Sequence, residues 1–192
     1  MNQQLKISKD EINQLPRYKF EGNIVLINTE KEAYQALEKL KHEKILGFDT
    51  ETRASFRKGE SYDVALLQLA TSTDAYLFRL NKLPINKMEE LFEILANPEI
   101  VKTGVAVRDD IKALQKLHPF KESNFVDLAE IAQQRKVLNF GLRALTAIFL
   151  KKRLSKSSKI SNWSKDELTP AQITYAACDA VVAYLIYQQL FE

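Results

Sequence analysis

The spacing of apolar and polar positions changes period several times along the chain, and each change marks an element. Asn23-Ile24-Val25-Leu26-Ile27 is an apolar run of strand length. Thr29-Glu30-Lys31-Glu32 has capping-box spacing and opens an amphipathic helix to about His42, with Ala33, Leu37 and Leu40 on one face. Ile45 to Thr50 then reads as the central buried strand. Polar residues from Arg53 to Asp63 form a loop, and Val64 to Ala70 and Ala75 to Arg79 follow as strands. The short turn Thr71-Ser72-Thr73-Asp74 makes these two antiparallel.

Helices and strands alternate after that. Lys87 to Ala96 is a helix, Ile100 to Val105 a strand, and Arg108 to His118 a helix closed by Pro119. Phe125-Val126 is a short strand, and Asp127 is placed to cap the helix that follows. Gly141 to Leu150 is another helix, Lys151 to Lys165 a polar basic loop, and Pro170 sits in the first turn of a last helix that runs almost to Glu192. Near the start, Ser8-Lys9-Asp10-Glu11 has the capping-box spacing of a small helix, which Pro16 ends. Residues 1–21 therefore form an arm and residues 22–192 one domain. Its order of elements predicts an α/β fold, a mixed sheet with helices on both faces. In such sheets, sites form at strand ends near the switch in strand order.

Composition narrows the class. A chain of 192 residues with 45% hydrophobic and 28% charged residues has room for one real core. No apolar run reaches the length of a membrane span; the longest is about Val181 to Tyr187. Met1-Asn2-Gln3-Gln4-Leu5-Lys6 has no apolar signal core. The single cysteine, Cys178, excludes an internal disulfide and suggests a reducing, cytoplasmic compartment. One cysteine with His42 and His118 is too few for a Cys/His zinc site. The net charge of +3 permits contact with a polyanion without requiring it.

The chemistry lies in the acids. Side chains on a strand repeat every second residue, so Asp49 and Glu51 share a face with Ile45 and Gly47. Two carboxylates on one face of an apolar strand repel each other and lose solvation, and a divalent cation between them reverses that cost. In the helix after Val105, an apolar stripe runs through Val107, Ile111, Leu114 and Leu117. At about 100° per residue, Asp110 lies roughly 40° from its centre and Asp109 roughly 140° away. Asp110 leans toward the sheet; Asp109 faces water near Lys112 and Lys116. The last helix is apolar nearly all round from Ile173 to Tyr187, and Asp179 is the one charge in that stretch. A buried carboxylate needs a strong partner, and Tyr175 lies one turn earlier on the same face. Asp49, Glu51, Asp110 and Asp179 together suit two divalent metals and in-line hydrolysis of a phosphodiester.

These residues carry a resemblance. Asp49-x-Glu51, then Gly104-Val105-x-Val107-x-x-Asp110, then Tyr175-x-x-x-Asp179 resemble the three exonuclease motifs of the DEDD superfamily. The tyrosine points to the subgroup of ribonuclease D and the Werner syndrome exonuclease domain; the histidine subgroup does not fit, because Thr174 stands where its histidine would be. Leu154-Ser155-Lys156, Ser161-Asn162-Trp163 and Leu168-Thr169-x-x-Gln172 are also similar to that family's approach to its third motif. The resemblance implies a ribonuclease H-like fold with a central mixed sheet of five strands. It implies a 3′-5′ exonuclease that takes single-stranded 3′ ends of DNA or RNA, uses two Mg²⁺ or Mn²⁺ ions, and releases nucleoside 5′-monophosphates. In that scheme Asp49 bridges both ions, Glu51 and Asp179 bind the first, Asp110 holds the second mostly through water, and Tyr175 hydrogen-bonds the attacking water. Glu51 also lies near the terminal 3′-hydroxyl. Ribonuclease D proteins carry helical nucleic-acid-binding domains after the exonuclease, whereas this chain stops soon after Asp179, which reads as a bare catalytic domain.

Arg53 and Phe56, after the first motif, are candidates for the mouth of the site, with Phe56 able to stack on a terminal base. Lys151, Lys152, Arg153, Lys156 and Lys159 form a run without an acid, and Lys156 and Lys159 are candidates for phosphate contacts. Trp163 reads as a core anchor for this loop and Cys178 as a small core residue. Gln68 receives no role. The rival reading is a catalytically silent nucleic-acid-binding or scaffold protein of the same fold. Such proteins usually lose a metal ligand, and none is missing here.

Overall fold

The computed structural model describes residues 5–55, 59–155 and 160–191. Its elements are α1 (Lys9–Gln14), β1 (Asn23–Ile27), α2 (Glu30–Leu40), β2 (Ile45–Thr52), β3 (Val64–Ala70), β4 (Asp74–Arg79), α3 (Glu89–Ala96), β5 (Val101–Gly104), α4 (Val107–Leu117), β6 (Phe125–Asp127), α5 (Leu128–Gln134), α6 (Leu142–Leu150) and α7 (Pro170–Phe191). Both capping boxes close. Ser8 and Glu11 exchange side-chain and backbone bonds at the start of α1, and Thr29 and Glu32 do so at α2. The helix expected from Lys87 begins instead with a 3₁₀ turn over Ile85–Lys87, and the α-helix proper starts at Glu89.

The strands form one sheet in the order β1-β4-β3-β2-β5-β6. That is six strands, where the resemblance implied five. The additional strand is β1, which pairs parallel with β4 from Asn23 opposite Asp74 to Ile27 opposite Phe78. It covers an edge of β4 that would otherwise present unpaired backbone. β4, β3 and β2 run antiparallel, while β5 and β6 run parallel to β2. The acidic strand therefore sits inside the sheet, where antiparallel pairing gives way to parallel. β2 runs on to Thr52, with a bulge between Glu51 and Thr52.

Each face of the sheet has its own cover. On one face, α2, α3 and α4 bury Leu37, Leu91 and Leu114 against Leu46, Phe48 and Leu67. On the other, α7 lays Ala176, Ala180 and Val181 on Leu66, Ala70 and Leu77, with Trp163 fully buried beside them. α5 and α6 then pack on the far side of α7, through Leu128, Leu145 and Ile148 against Ala183 and Ile186. Because α7 is enclosed by the sheet and by two helices, it is apolar on all sides. Among the described residues, no helix is long and apolar enough to cross a membrane.

The arm ahead of β1 is tied down at both ends. The Leu138 amide donates to the Leu5 carbonyl at 2.9 Å, and the Ile7 amide to Asn139 Oδ1 at 3.1 Å. Arg153 donates its backbone N–H to Pro16 and its Nε to Leu15, and accepts from the Tyr18 amide.

One contact sets the distance between β2 and α7. A Cβ added to Gly47 would lie 1.9 Å from the Ala180 carbonyl oxygen, inside the backbone of the helix. Gly47→Ala is expected to destabilise the protein by about 3 kcal/mol or more, because neither the strand nor the helix backbone can yield. The shift of the urea unfolding midpoint measures it.

Candidate active site

The close approach at Gly47 brings the acids together. Asp49 and Glu51 continue along the same face of β2 toward its carboxyl end, and Asp179 precedes Ala180 on the facing helix. One carboxylate oxygen each from Asp49, Glu51 and Asp179 lie within 4.8 Å of one another. Asp179 is buried. The Tyr175 hydroxyl, one turn earlier, hydrogen-bonds its carboxylate. The Tyr175 ring packs at 6.1 Å from the buried Trp163, so the tyrosine is held from behind by an apolar anchor.

Asp110 approaches from the opposite face of β2, outside the three-acid group but close enough for its charge to act on Asp49. β5 ends at Gly104, and Ala106 takes a left-handed conformation (φ 59°), which starts α4 at once. The Asp127 carboxylate accepts from the amides of Ala106 and Ala129, joining the starts of α4 and α5. Asp110 in the first turn accepts a hydrogen bond from Thr50 Oγ1, and Thr50 lies between the two acids of β2. Asp109 points to solvent, with Lys112 Nζ 3.9 Å from it. The strand thus presents Asp49 and Glu51 to α7 and Thr50 to α4.

Electrostatics follow from this crowding. Burial, then the charges of Asp179 and Asp110, push the Asp49 carboxyl well above the usual carboxylate range. Asp110 is pushed up to about 6, chiefly by burial, with Asp109 and Asp127 adding and the Thr50 bond opposing. Burial first, then Asp179, also raises the Tyr175 hydroxyl, so it keeps its proton at neutral pH. Among the described residues neither Asp49 nor Asp110 has a cationic partner. Oxygen donors this close, with charge raised against itself, fit a hard divalent cation.

The acids Asp49, Glu51 and Asp179, together with Tyr175, line a cleft of about 600 Å³. Arg53 is not among its residues. It lines a separate recess, its guanidinium 4.6 Å over the Tyr62 ring. Phe56, Lys156 and Lys159 lie outside the described residues. Cys178 is buried. Two residues gain importance that the chain alone did not give them. Asp127 holds the Ala106 amide ahead of α4 and caps α5, and its charge repels Asp110. Gln68, fully buried and paired across the sheet with Asp49, has both amide atoms without a hydrogen-bond partner. Its signal was a lone polar residue in the run Val-Ala-Leu-Leu-Gln-Leu-Ala.

A family model described as 3′-5′ exonuclease matches residues 24–192. Mouse WRN, a bifunctional 3′-5′ exonuclease and ATP-dependent helicase, is 33% identical over 151 residues, covering 76% of this chain and 11% of that protein. The exonuclease 3′-5′ domain-containing protein 2 of Drosophila melanogaster is 33% identical over 153 residues, covering 77% of this chain and 25% of that protein. The chain thus spans a quarter or less of these two relatives' length. Among solved structures, the Nibbler EXO domain of Aedes aegypti superposes with a TM-score of 0.82 at 24% identity, over 90% of each chain. Escherichia coli RNase D superposes with a TM-score of 0.79 at 21% identity, over 88% of this chain and 44% of that one. The last two likenesses are of fold.

The raised carboxyls have a consequence for stability. A carboxyl that titrates higher in the folded than in the unfolded chain costs stability as pH rises from its unfolded value, about 4, through its folded one. The advantage of Asp110→Asn over wild type, without divalent cations, is therefore expected to grow between about pH 4 and pH 6 and then level off. The substituted amide keeps an oxygen to accept from Thr50. Paired urea unfolding curves across that range give the difference.

Proposed function

The chain belongs to the 3′-5′ exonuclease family, and on that premise we propose that it removes nucleoside 5′-monophosphates one at a time from the 3′ end of a single DNA or RNA strand. The convergence of Asp49, Glu51 and Asp179 within 4.8 Å is the observation that supports this reading most strongly. We read the site as of the tyrosine DEDD type, holding two Mg²⁺ or Mn²⁺ ions. Asp49, Glu51 and Asp179 would hold the first ion, and Asp49 with Asp110, across the strand, would hold the second. When bound, such ions acidify a water and neutralise charge on the phosphoryl oxygens.

The protein's own groups do the positioning. Tyr175 stays protonated, so it is a donor to Asp179 and a poor base. Its oxygen keeps lone pairs that accept from the attacking water and fix its direction. The water oxygen bonds to phosphorus as the P–O3′ bond breaks. The products are a nucleoside 5′-monophosphate and a strand shorter by one nucleotide with a new 3′-hydroxyl. Trp163, behind Tyr175, keeps the phenol from turning away. The one cysteine, buried, accords with a reducing compartment inside the cell.

Digestion of 5′-labelled single-stranded DNA and RNA with Mn²⁺, Mg²⁺ or EDTA tests this reading. The expected result is a ladder shortening from the 3′ end, lost with EDTA and weakened by roughly 10²–10³-fold or more in Asp49→Ala. Binding without any ladder under either metal would favour the silent binding protein instead.

A further inference from the structure

Part of the acid cleft is built from outside the matched region. Ile7, Lys9 and Ile12 line it, and all three precede residue 24, where the family match begins. They are held there by the bonds from Leu5 and Ile7 to the segment before α6, and from Leu15, Pro16 and Tyr18 to Arg153. The arm is therefore a fixed boundary of the cleft.

The first turn of α6 lines the same cleft through Leu142 and Arg143. Arg143 is the one charged residue in α6. Its Nε is buried and has no hydrogen-bond partner. Its guanidinium makes no ion pair among the described residues, although three carboxylates line the same cleft. A guanidinium is charged at every physiological pH, and a buried N–H without an acceptor is costly. Lys9, exposed on the arm, likewise has no ion pair among the described residues. The cleft thus combines an acid cluster with two uncommitted cations, one from the arm and one from α6.

A ligand that satisfies both parts needs more than one anionic group. The phosphate at the acid cluster is engaged there, so the cations require further phosphates. A nucleoside monophosphate has none to offer, whereas a strand carries one at every step. We propose that Lys9 and Arg143 form a clamp for the backbone phosphates of the strand on the 5′ side of the scissile bond. This rests on the exonuclease reading of the acid cluster. Arg143 supplies a planar fork that matches a phosphate's oxygens, and Lys9 a point charge at the outer side.

The test is binding of a 5′-fluorescent single-stranded oligothymidylate by anisotropy in EDTA, across a salt titration. Wild type is compared with Lys9→Gln, Arg143→Gln and the double variant. Each removed contact is expected to weaken binding about tenfold at low salt, as loss of one charge-assisted hydrogen bond does. Each is also expected to flatten the slope of log K against log salt by about 0.7. In cleavage assays the loss is expected in KM for the strand. Arg143→Lys, which keeps the charge without the fork, is expected to restore the slope. If Arg143→Gln does not fold, Lys9→Gln decides alone. Affinities and slopes equal to wild type in the folded variants would overturn the clamp. A wild type that binds the strand with the full slope but yields no ladder would instead overturn the exonuclease reading.

Discussion

Like charges held together in a poor solvent are the constraint on which this structure turns. Asp49 and Asp179 approach because β2 and α7 touch backbone to backbone at Gly47 and Ala180. A larger residue at position 47 would separate the layers and spread the acids. The same closeness takes water from the carboxylates and pushes Asp49 upward in pKa. Left alone, that cluster opposes folding. The sheet and the three helices packed on its other face provide the opposing burial, and a divalent cation removes the repulsion.

The same logic explains the surroundings. α7 is enclosed along its middle, from Ala176 to Ala183, and Asp179 meets the cleft from within that buried run. Alanines at 176 and 180 let it lie close to the sheet, while Tyr175 and Asp179 stand one turn apart at its mouth-facing edge. Thr50 bonds Asp110 directly, and Asp127 fixes the Ala106 amide just ahead of α4, so the helix that carries the second acid is braced at its start. The arm and α6 bring positive charge to a cleft whose floor is negative. A polyanion is thereby drawn in at its backbone while the acids stay free to take cations.

Much of this was legible in the chain because its signals are local. The two-residue strand period put Asp49 and Glu51 on one face. The helical period turned Asp110 inward and Asp109 out. A single charge in an otherwise apolar helix marked Asp179, and both capping boxes formed. What was missed depends on distant partners. β1 joins the sheet through β4, about fifty residues on, and no property of Asn23–Ile27 names that neighbour. Leu5 meets Val137 and Arg17 meets Arg153, pairings that leave no periodic trace. Arg53 stacks on Tyr62, nine residues on, in a recess apart from the acids. Arg143 and Gln68 carried the same kind of mark as Asp179, a lone polar residue in an apolar element, and their meaning emerged only from what stands beside them.

Thermal unfolding with and without Mn²⁺, for wild type and Asp49→Asn, shows whether the clustered carboxylates oppose folding until a divalent cation joins them. Wild type should melt higher as Mn²⁺ is added, rising with its concentration as ligand linkage requires. Asp49→Asn should melt above wild type in EDTA and respond little to the metal. A wild type indifferent to Mn²⁺, or an Asp49→Asn protein less stable than wild type in EDTA, would contradict that expectation.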